Sequence, residues 1–366
     1  MRFLFINQYG PPDPSPTARL LGELADFLRR GGHEVAVVCQ RQDYHGRPAR
    51  GVRRMGRELR ALASLAWAGL QVGQPAPDVV LALSSPPGVL VVAALLARWH
   101  RARLAHWAMD LYPELAVALG EVPAGLISRS VRAAMGWAYR RAALVVALDE
   151  DMRTHLRETY GINAEVLAPW PPAQAAVQID AAHPGPVPPP WTWLYSGNLG
   201  RAHEWKTLLD AQQVLEKRGL PVHLLFQGDG AAVPEARTYA DQLGLQQCRW
   251  KGYATEDGLI ASFLAAGAVV VTQRPVTRGL LWPSKLAALV HLPRPILWVG
   301  PANGGIARHL TEGGRAGIFA PGQAEAVADW IEEIHRHPPV LPVSAGAQAT
   351  IQAGCAALQQ WLTAAK

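Results

Sequence analysis

Two stretches far apart in the chain are built alike, each an apolar run followed by a turn and an amphipathic helix pattern. The first is Phe3-Leu4-Phe5-Ile6, leading to 18–30 with Leu20, Leu21, Leu24, Phe27 and Leu28 on one face and Gly31-Gly32 as the stop. The second is 191–195, which ends in Ser196-Gly197-Asn198-Leu199-Gly200-Arg201 and enters a helix near Glu204. Strands that alternate with helices pair in parallel, because only a crossover helix returns the chain in the same direction. A restart of that alternation in the second half predicts two αβ units, each with its own core, and 366 residues accommodate both.

Within the first unit, 35–38, 79–83 and 144–148 read as further strands. Ligands of such sheets bind beyond the carboxyl ends of the strands, which here carry 7–17, 84–88 and 110–114. Prolines crowd 169–172 and 184–190, so the path between the units is expected to be stiff and irregular. The expected organisation is therefore 1–170, a linker over 171–190, a second unit over 191–345, and a C-terminal helix over 346–366 that could return to the first unit. In the second unit, strands are expected at 191–195, 222–226, 269–272 and 295–299, and helices at 204–218, 233–243, 259–266, 286–291 and 323–335.

The composition excludes several classes. Cys39, Cys248 and Cys355 are far apart and show no paired spacing, which argues against a disulfide framework or a zinc site. Phe3–Ile6 is too short for a signal-peptide core, and 88–97 is broken by Arg98 well short of a bilayer span, so a cytoplasmic protein is expected. The net charge of +6 concentrates in Arg41, Arg47, Arg50, Arg53, Arg54, Arg57 and Arg60, directly before Leu59, Leu62, Leu65, Ala66, Trp67 and Leu70. One reading is an interfacial helix in which Arg53, Arg54, Arg57, Arg60 and Trp67 meet an anionic membrane or an acceptor; the other is a helix packed on its own domain. No aromatic platform accompanies the charge, so nucleic acid is not an expected partner.

The turn at 196–201 has the chemistry of a phosphate cradle. Gly197 and Gly200 allow close backbone approach, the following helix start favours negative charge, and Arg201 supplies a guanidinium. Gly228-Asp229-Gly230 closes another strand, yet Val233 stands where the dinucleotide fingerprint needs its third glycine, which disfavours a nicotinamide dehydrogenase. His33 reads as a structural residue of a helix-to-strand turn, and His45, His100, His106, His155 and His291 show no ligand spacing.

Several strings together resemble GT-B glycosyltransferases of the GT4 group: Gln8-Tyr9-Gly10-Pro11-Pro12, Gly31-Gly32-His33-Glu34-Val35, and Asp78-Val79-Val80 with Ser85-Pro86-Pro87. Asp110-Leu111-Tyr112-Pro113-Glu114 resembles the acidic box of the bacterial subgroup that adds N-acetylfucosamine and related sugars to lipid-linked saccharides. In the second unit the turn Tyr195–Arg201, Gly228-Asp229-Gly230 and Pro283-Ser284-Lys285-Leu286 look like that subgroup's donor-site strings. The resemblance implies two Rossmann-like doubly wound domains facing a cleft, a nucleotide-sugar donor (most often UDP-linked) on the second, and transfer with retention of configuration.

The residues so implicated are Arg201 and Lys285 at the leaving diphosphate, with Gly197, Asn198, Gly200, Gly228, Pro283, Ser284 and Leu286 around the donor. Lys206 stands at the family's spacing for a second phosphate contact, and reads equally as a lysine on an exposed helical turn. Tyr253 is either a loop residue beside the base or a cover for the core. Asp110 and Glu114 are the acids expected at the acceptor; Asp110 is a general base, a positioning group or a cap of the following turn. Two glutamates usual in the group are missing: 258–311 contains no acid, and Ala288 occupies the fifth position after Pro283.

The expectation is thus a metal-independent glycosyltransferase without a cofactor, acting from a UDP-sugar on a lipid-linked saccharide, cytoplasmic or peripheral on the inner membrane face. Two alternatives remain: a non-catalytic GT-B module that binds a nucleotide or a partner, and a sugar-nucleotide epimerase.

Overall fold

A computed structural model describes residues 1–40, 52–182, 185–341 and 346–364. The chain divides into two compact units, Met1–Pro172 with Gly279–Trp282 and Ile351–Lys366, and Ala173–Arg278 with Pro283–Thr350. Each carries one six-stranded parallel sheet covered by helices, an α/β architecture.

In the first unit the strands are β1 (Arg2–Ile6), β2 (Glu34–Val38), β3 (Val79–Ala82), β4 (Arg103–Trp107), β5 (Ala142–Ala147) and β6 (Glu165–Val166). They lie in the order β2-β1-β3-β4-β5-β6, so the winding reverses between β1 and β3. The helices are α1 (Pro16–Arg30), α2 (Val52–Leu70), α3 (Val89–His100), α4 (Glu114–Ala118), α5 (Leu126–Tyr139) and α6 (Glu150–Tyr160). Helix α1 starts two residues before its apolar pattern because the Ser15 side chain caps the Ala18 amide and Pro16 fills a position whose N–H would go unused. Its Leu20, Leu21, Leu24 and Leu28 are buried.

Helix α2 divides the residues of its apolar pattern between its two faces. Ala61 and Leu65 face inward, while Leu59, Trp67 and Leu70 are exposed. Residues 41–51 and the side chains of Arg53 and Arg54 lie outside the described residues; Arg57 and Arg60 are exposed.

The second unit holds α7 (Ala173–Asp180), β7 (Trp191–Ser196), α8 (Lys206–Lys217), β8 (Val222–Gln227), α9 (Val233–Gln242), β9 (Cys248–Lys251), α10 (Glu256–Ala265), β10 (Ala268–Thr272), α11 (Leu286–Leu289), β11 (Ile296–Val299), α12 (Gly305–Glu312), β12 (Ala316–Phe319) and α13 (Ala324–Arg336). The proline-rich stretch read as linker thus contains a helix, α7, between its two proline clusters. The strand order β12-β11-β10-β7-β8-β9 reverses its winding between β7 and β10. Strand β10 is buried along its length, as a strand covered on both faces must be.

A last helix, α14 (Ala347–Ala364), begins with its amides on the Asp180 carboxylate, which accepts from Ala347 at 2.9 Å and Gln348 at 3.1 Å. From Ile351 it belongs to the first unit, where Gly354 lies flat on Trp170. Among the described residues no helix is long and apolar enough to cross a membrane.

Candidate active site

The winding reversal between β7 and β10 opens a crevice beyond the carboxyl ends of those strands, the place where parallel α/β sheets take ligands. The turn after β7 and the turn after β8 are laced together there. Gly197 donates to the Gln227 carbonyl at 2.8 Å, Leu199 to Asp229 at 2.8 Å, and Ala232 back to Leu199 at 3.0 Å. The interlock depends on glycine: Gly228 has φ +143° and a Cβ there would stand 2.1 Å from the Gly197 oxygen, while Gly230 has φ +151° and would place one 2.4 Å from the Leu199 oxygen. Gly228-Asp229-Gly230 is therefore the second wall of the Gly197 turn.

Lys285 closes this arrangement. It caps α11, and its Nζ sits 3.4 Å from the centroid of the Tyr195 ring and 3.7 Å from where a Gly197 Cβ would be. The Nζ is shut off from solvent and has no hydrogen-bond partner. Burial pulls its pKa from 10.5 down to about 7. An ammonium left without an acceptor in a dry site is costly, and an anion beside it would relieve that cost.

His203 adds to this environment. Its ring lies edge-on to Tyr195 at 5.8 Å, its Nδ1 donates to the Thr272 carbonyl, and burial, then the neighbouring Lys285, lowers its pKa to about 4, so it stays neutral. Sequence reasoning missed His203; its only signal was its place two residues after Arg201, inside the glycine turn.

The remaining candidates of this unit divide. Asn198 and Arg201 are exposed on the turn, Gly200 is half-buried, and Ser284 is exposed beside the buried Pro283 and Leu286. The Arg201 carbonyl accepts from Arg274, which ties the turn to the end of β10. Tyr253 is half-exposed and donates its hydroxyl to the Asp229 carbonyl at 3.3 Å, so it joins the glycine loops and does not cover the core. Lys206 opens α8 and rests its Nζ 5.2 Å over the Tyr239 ring, on the helix surface. Ala288 is buried in α11, so no carboxylate stands where the GT4 resemblance would place one.

In the first unit, Asp110 follows β4 and forms an isolated antiparallel bridge with Leu281. Burial raises its pKa to about 6. It lines a small recess with Ser84, His106 and Tyr112. His106 is buried in β4, donates Nδ1–H to the Ala82 carbonyl and leaves Nε2 without a partner; burial lowers its pKa to about 4. Glu114 is held otherwise: Oε1 accepts from the Tyr160 hydroxyl at 2.7 Å and from Arg132 at 3.0 Å, while the buried Oε2 has no partner. Among the described residues no three His, Cys, Asp or Glu side chains are grouped to hold a metal.

Comparison with known proteins shows what this chain is similar to. Residues 17–175 match the model of Glycosyltransferase Family 4. That segment is similar to a glycosyltransferase family 4 domain. It runs from α1 into α7 and so contains Asp110 and Glu114, whereas the glycine turns and Lys285 lie beyond it. No curated protein matches the chain.

Solved structures extend the likeness over both units. The HepE protein of Anabaena, solved in complex with UDP, superposes with a TM-score of 0.67 at 15% identity over 100% of both chains. Sucrose-phosphate synthase of Thermosynechococcus elongatus gives 0.65 at 15% identity over 100% of this chain and 96% of its own. The lipopolysaccharide outer core galactosyltransferase WaaB gives 0.61 at 12% identity over 100% and 99%. These likenesses show the GT-B fold over both units.

Proposed function

We propose that this chain is a glycosyltransferase that binds a nucleotide-sugar through its second unit, with UDP as the favoured nucleotide, and transfers the sugar to a lipid-linked saccharide at the cytoplasmic membrane face. The observation that carries the reading is Lys285: a buried ammonium without an acceptor, at the carboxyl ends of β7 and β10, against a glycine turn open to close approach. A diphosphate is the anion that such a site fits, and the likeness to UDP-bound HepE supports that choice.

In the proposed reaction the acceptor oxygen bonds to the anomeric carbon as the bond from that carbon to the diphosphate breaks. The acceptor proton passes to the leaving phosphate oxygen on the same face, and configuration is retained. Lys285 and Arg201 neutralise the charge that accumulates on the diphosphate, and no metal is invoked. Asp110 is assigned to orienting the acceptor hydroxyl, and the Asp110–Glu114 box supports an acceptor of the N-acetylfucosaminyltransferase-like subgroup. Ser284 and backbone groups replace the glutamates in holding the ribose.

Release of UDP from UDP-sugars by the purified protein tests this, since Lys285→Ala and Arg201→Ala should each impair nucleotide binding or turnover. The buried Ala288 favours one other reading, a module that binds nucleotide without turning it over. Nucleotide binding with no UDP release in the presence of acceptor extracts would select it.

A further inference from the structure

Helices α2, α3 and α5 form one layer on the first unit, with α3 packed against both of the others. The solvent side of this layer is apolar. Helix α3 exposes Leu95 and Trp99, the latter 69% exposed, although flanked by helices on both sides. Helix α5 begins with Leu126 and Ile127, 80% and 74% exposed, and adds Val131 one turn on. Helix α2 contributes Met55, Leu59, Trp67 and Leu70. These three helices supply nine of the fourteen large apolar side chains that are exposed among the described residues. So concentrated a distribution marks an interaction surface, not the scatter of single apolar residues usual on a soluble protein.

Charge decides what the surface meets. The three helices contain a single acid, Glu58, against seven arginines: Arg53, Arg54, Arg57, Arg60, Arg98, Arg129 and Arg132. On α5 the arginines converge. Arg129, Arg132 and Arg140 line an open recess of about 350 Å³ with Gly136, Thr159 and Tyr160. No acid lines it; Glu114, which holds Arg132 from beneath, is buried. A protein partner matched to this face would need acids spaced among apolar groups over three helices. A bilayer containing anionic phospholipid presents both chemistries everywhere, with tryptophan and arginine suited to the boundary between them.

We infer that the α2–α3–α5 face docks on an anionic phospholipid bilayer, with the apolar side chains entering the interface and the α5 recess seating a lipid phosphate. The contact extends beyond the arginine-rich helix to α3 and α5. It does not depend on the donor site, so failure of one leaves the other standing.

The test is co-sedimentation of the full chain with vesicles of phosphatidylcholine alone or mixed with phosphatidylglycerol, at low and high salt. Wild type should bind the mixed vesicles, bind pure phosphatidylcholine weakly, and detach as salt rises. Trp99→Glu, Ile127→Glu and the double variant Arg129→Ala/Arg140→Ala should each weaken binding by about tenfold or more. All three change exposed side chains, so each variant should keep the wild-type melting temperature, which serves as the folding control. Binding that ignores lipid charge or is untouched by the variants overturns the inference. So does a wild-type dimer that Ile127→Glu splits without any vesicle binding, which would assign the face to a second copy. Stabilisation by soluble glycerol phosphate with no vesicle binding would assign the recess to free phosphate and overturn the lipid.

Discussion

Lys285 should weaken the fold that it serves. Its drop from 10.5 to about 7 amounts to about 5 kcal/mol between the charged and neutral forms, and about 4 kcal/mol of that is felt at pH 7. A buried swap to a side chain of similar volume returns about 1.5 kcal/mol of that as imperfect packing against the Tyr195 ring. Lys285→Met keeps the apolar stem and removes the charge, so it should stabilise the ligand-free protein by about 2.5 kcal/mol. At about 2–4 °C per kcal/mol, its melting temperature should rise by about 5–10 °C in a calorimetric scan. The same variant should lose the stabilisation that UDP gives wild type, about 2.7 kcal/mol at a hundredfold excess over Kd. The pH dependence has a fixed sign. Because the folded value lies below that of the unfolded chain, the unfolded state binds more protons between about pH 7 and 10.5, and stability from this group climbs across that window. Lys285→Met should lack that climb. A variant that melts at or below wild type, or that UDP stabilises undiminished, would refute the reasoning.

Other consequences are accessible to simpler measurements. Gly228→Ala forces a Cβ into the Gly197 carbonyl and should cost about 2–4 kcal/mol in chemical denaturation, with loss of UDP binding; wild-type stability would mean that the two loops do not interlock. Asp110 has a raised folded-state pKa, so its contribution to stability is fully present below pH 3.8 and is lost as pH rises through about 6; Asp110→Asn should therefore stabilise the protein by about 1–3 kcal/mol at pH 7. If Asp110 orients the acceptor as a carboxylate, transfer should also fall below about pH 6 in wild type, and Asp110→Asn should flatten that limb of the pH–rate profile. Glu114→Ala should destabilise by about 1–3 kcal/mol, since it leaves the buried Tyr160 hydroxyl without its acceptor while the half-exposed Arg132 stays hydrated.

Much of the architecture was legible because strand and helix periods are local. The runs at 3–6 and 191–195 and the glycine turn after the second are β1, β7 and the crevice of the second sheet. Short strands such as β6 and β9 were not legible, since two to four residues carry no period. Helix α7 was hidden between prolines that mark turns on both sides of it. For α2, spacing alone could not choose between an interfacial helix and one packed on its own domain, and the residues divide: Leu65 is buried while Leu59, Trp67 and Leu70 are exposed. In the donor region, the residue types were readable but their meetings were not. Nothing local says that Lys285 lies on Tyr195, that His203 borders both, or that Gly228 and Gly230 abut the Gly197 turn, because such contacts are made by the winding of the sheet.

The most direct test of the central claim is calorimetric titration of UDP at pH 8 in two buffers of different ionisation enthalpy. Lys285 is mostly neutral there in the free protein and becomes charged beside the diphosphate, so wild type should take up about one proton per nucleotide bound. Lys285→Met should bind weakly with no uptake. Tight UDP binding without proton uptake, or with the same uptake in Lys285→Met, would contradict the assignment of Lys285 to the diphosphate.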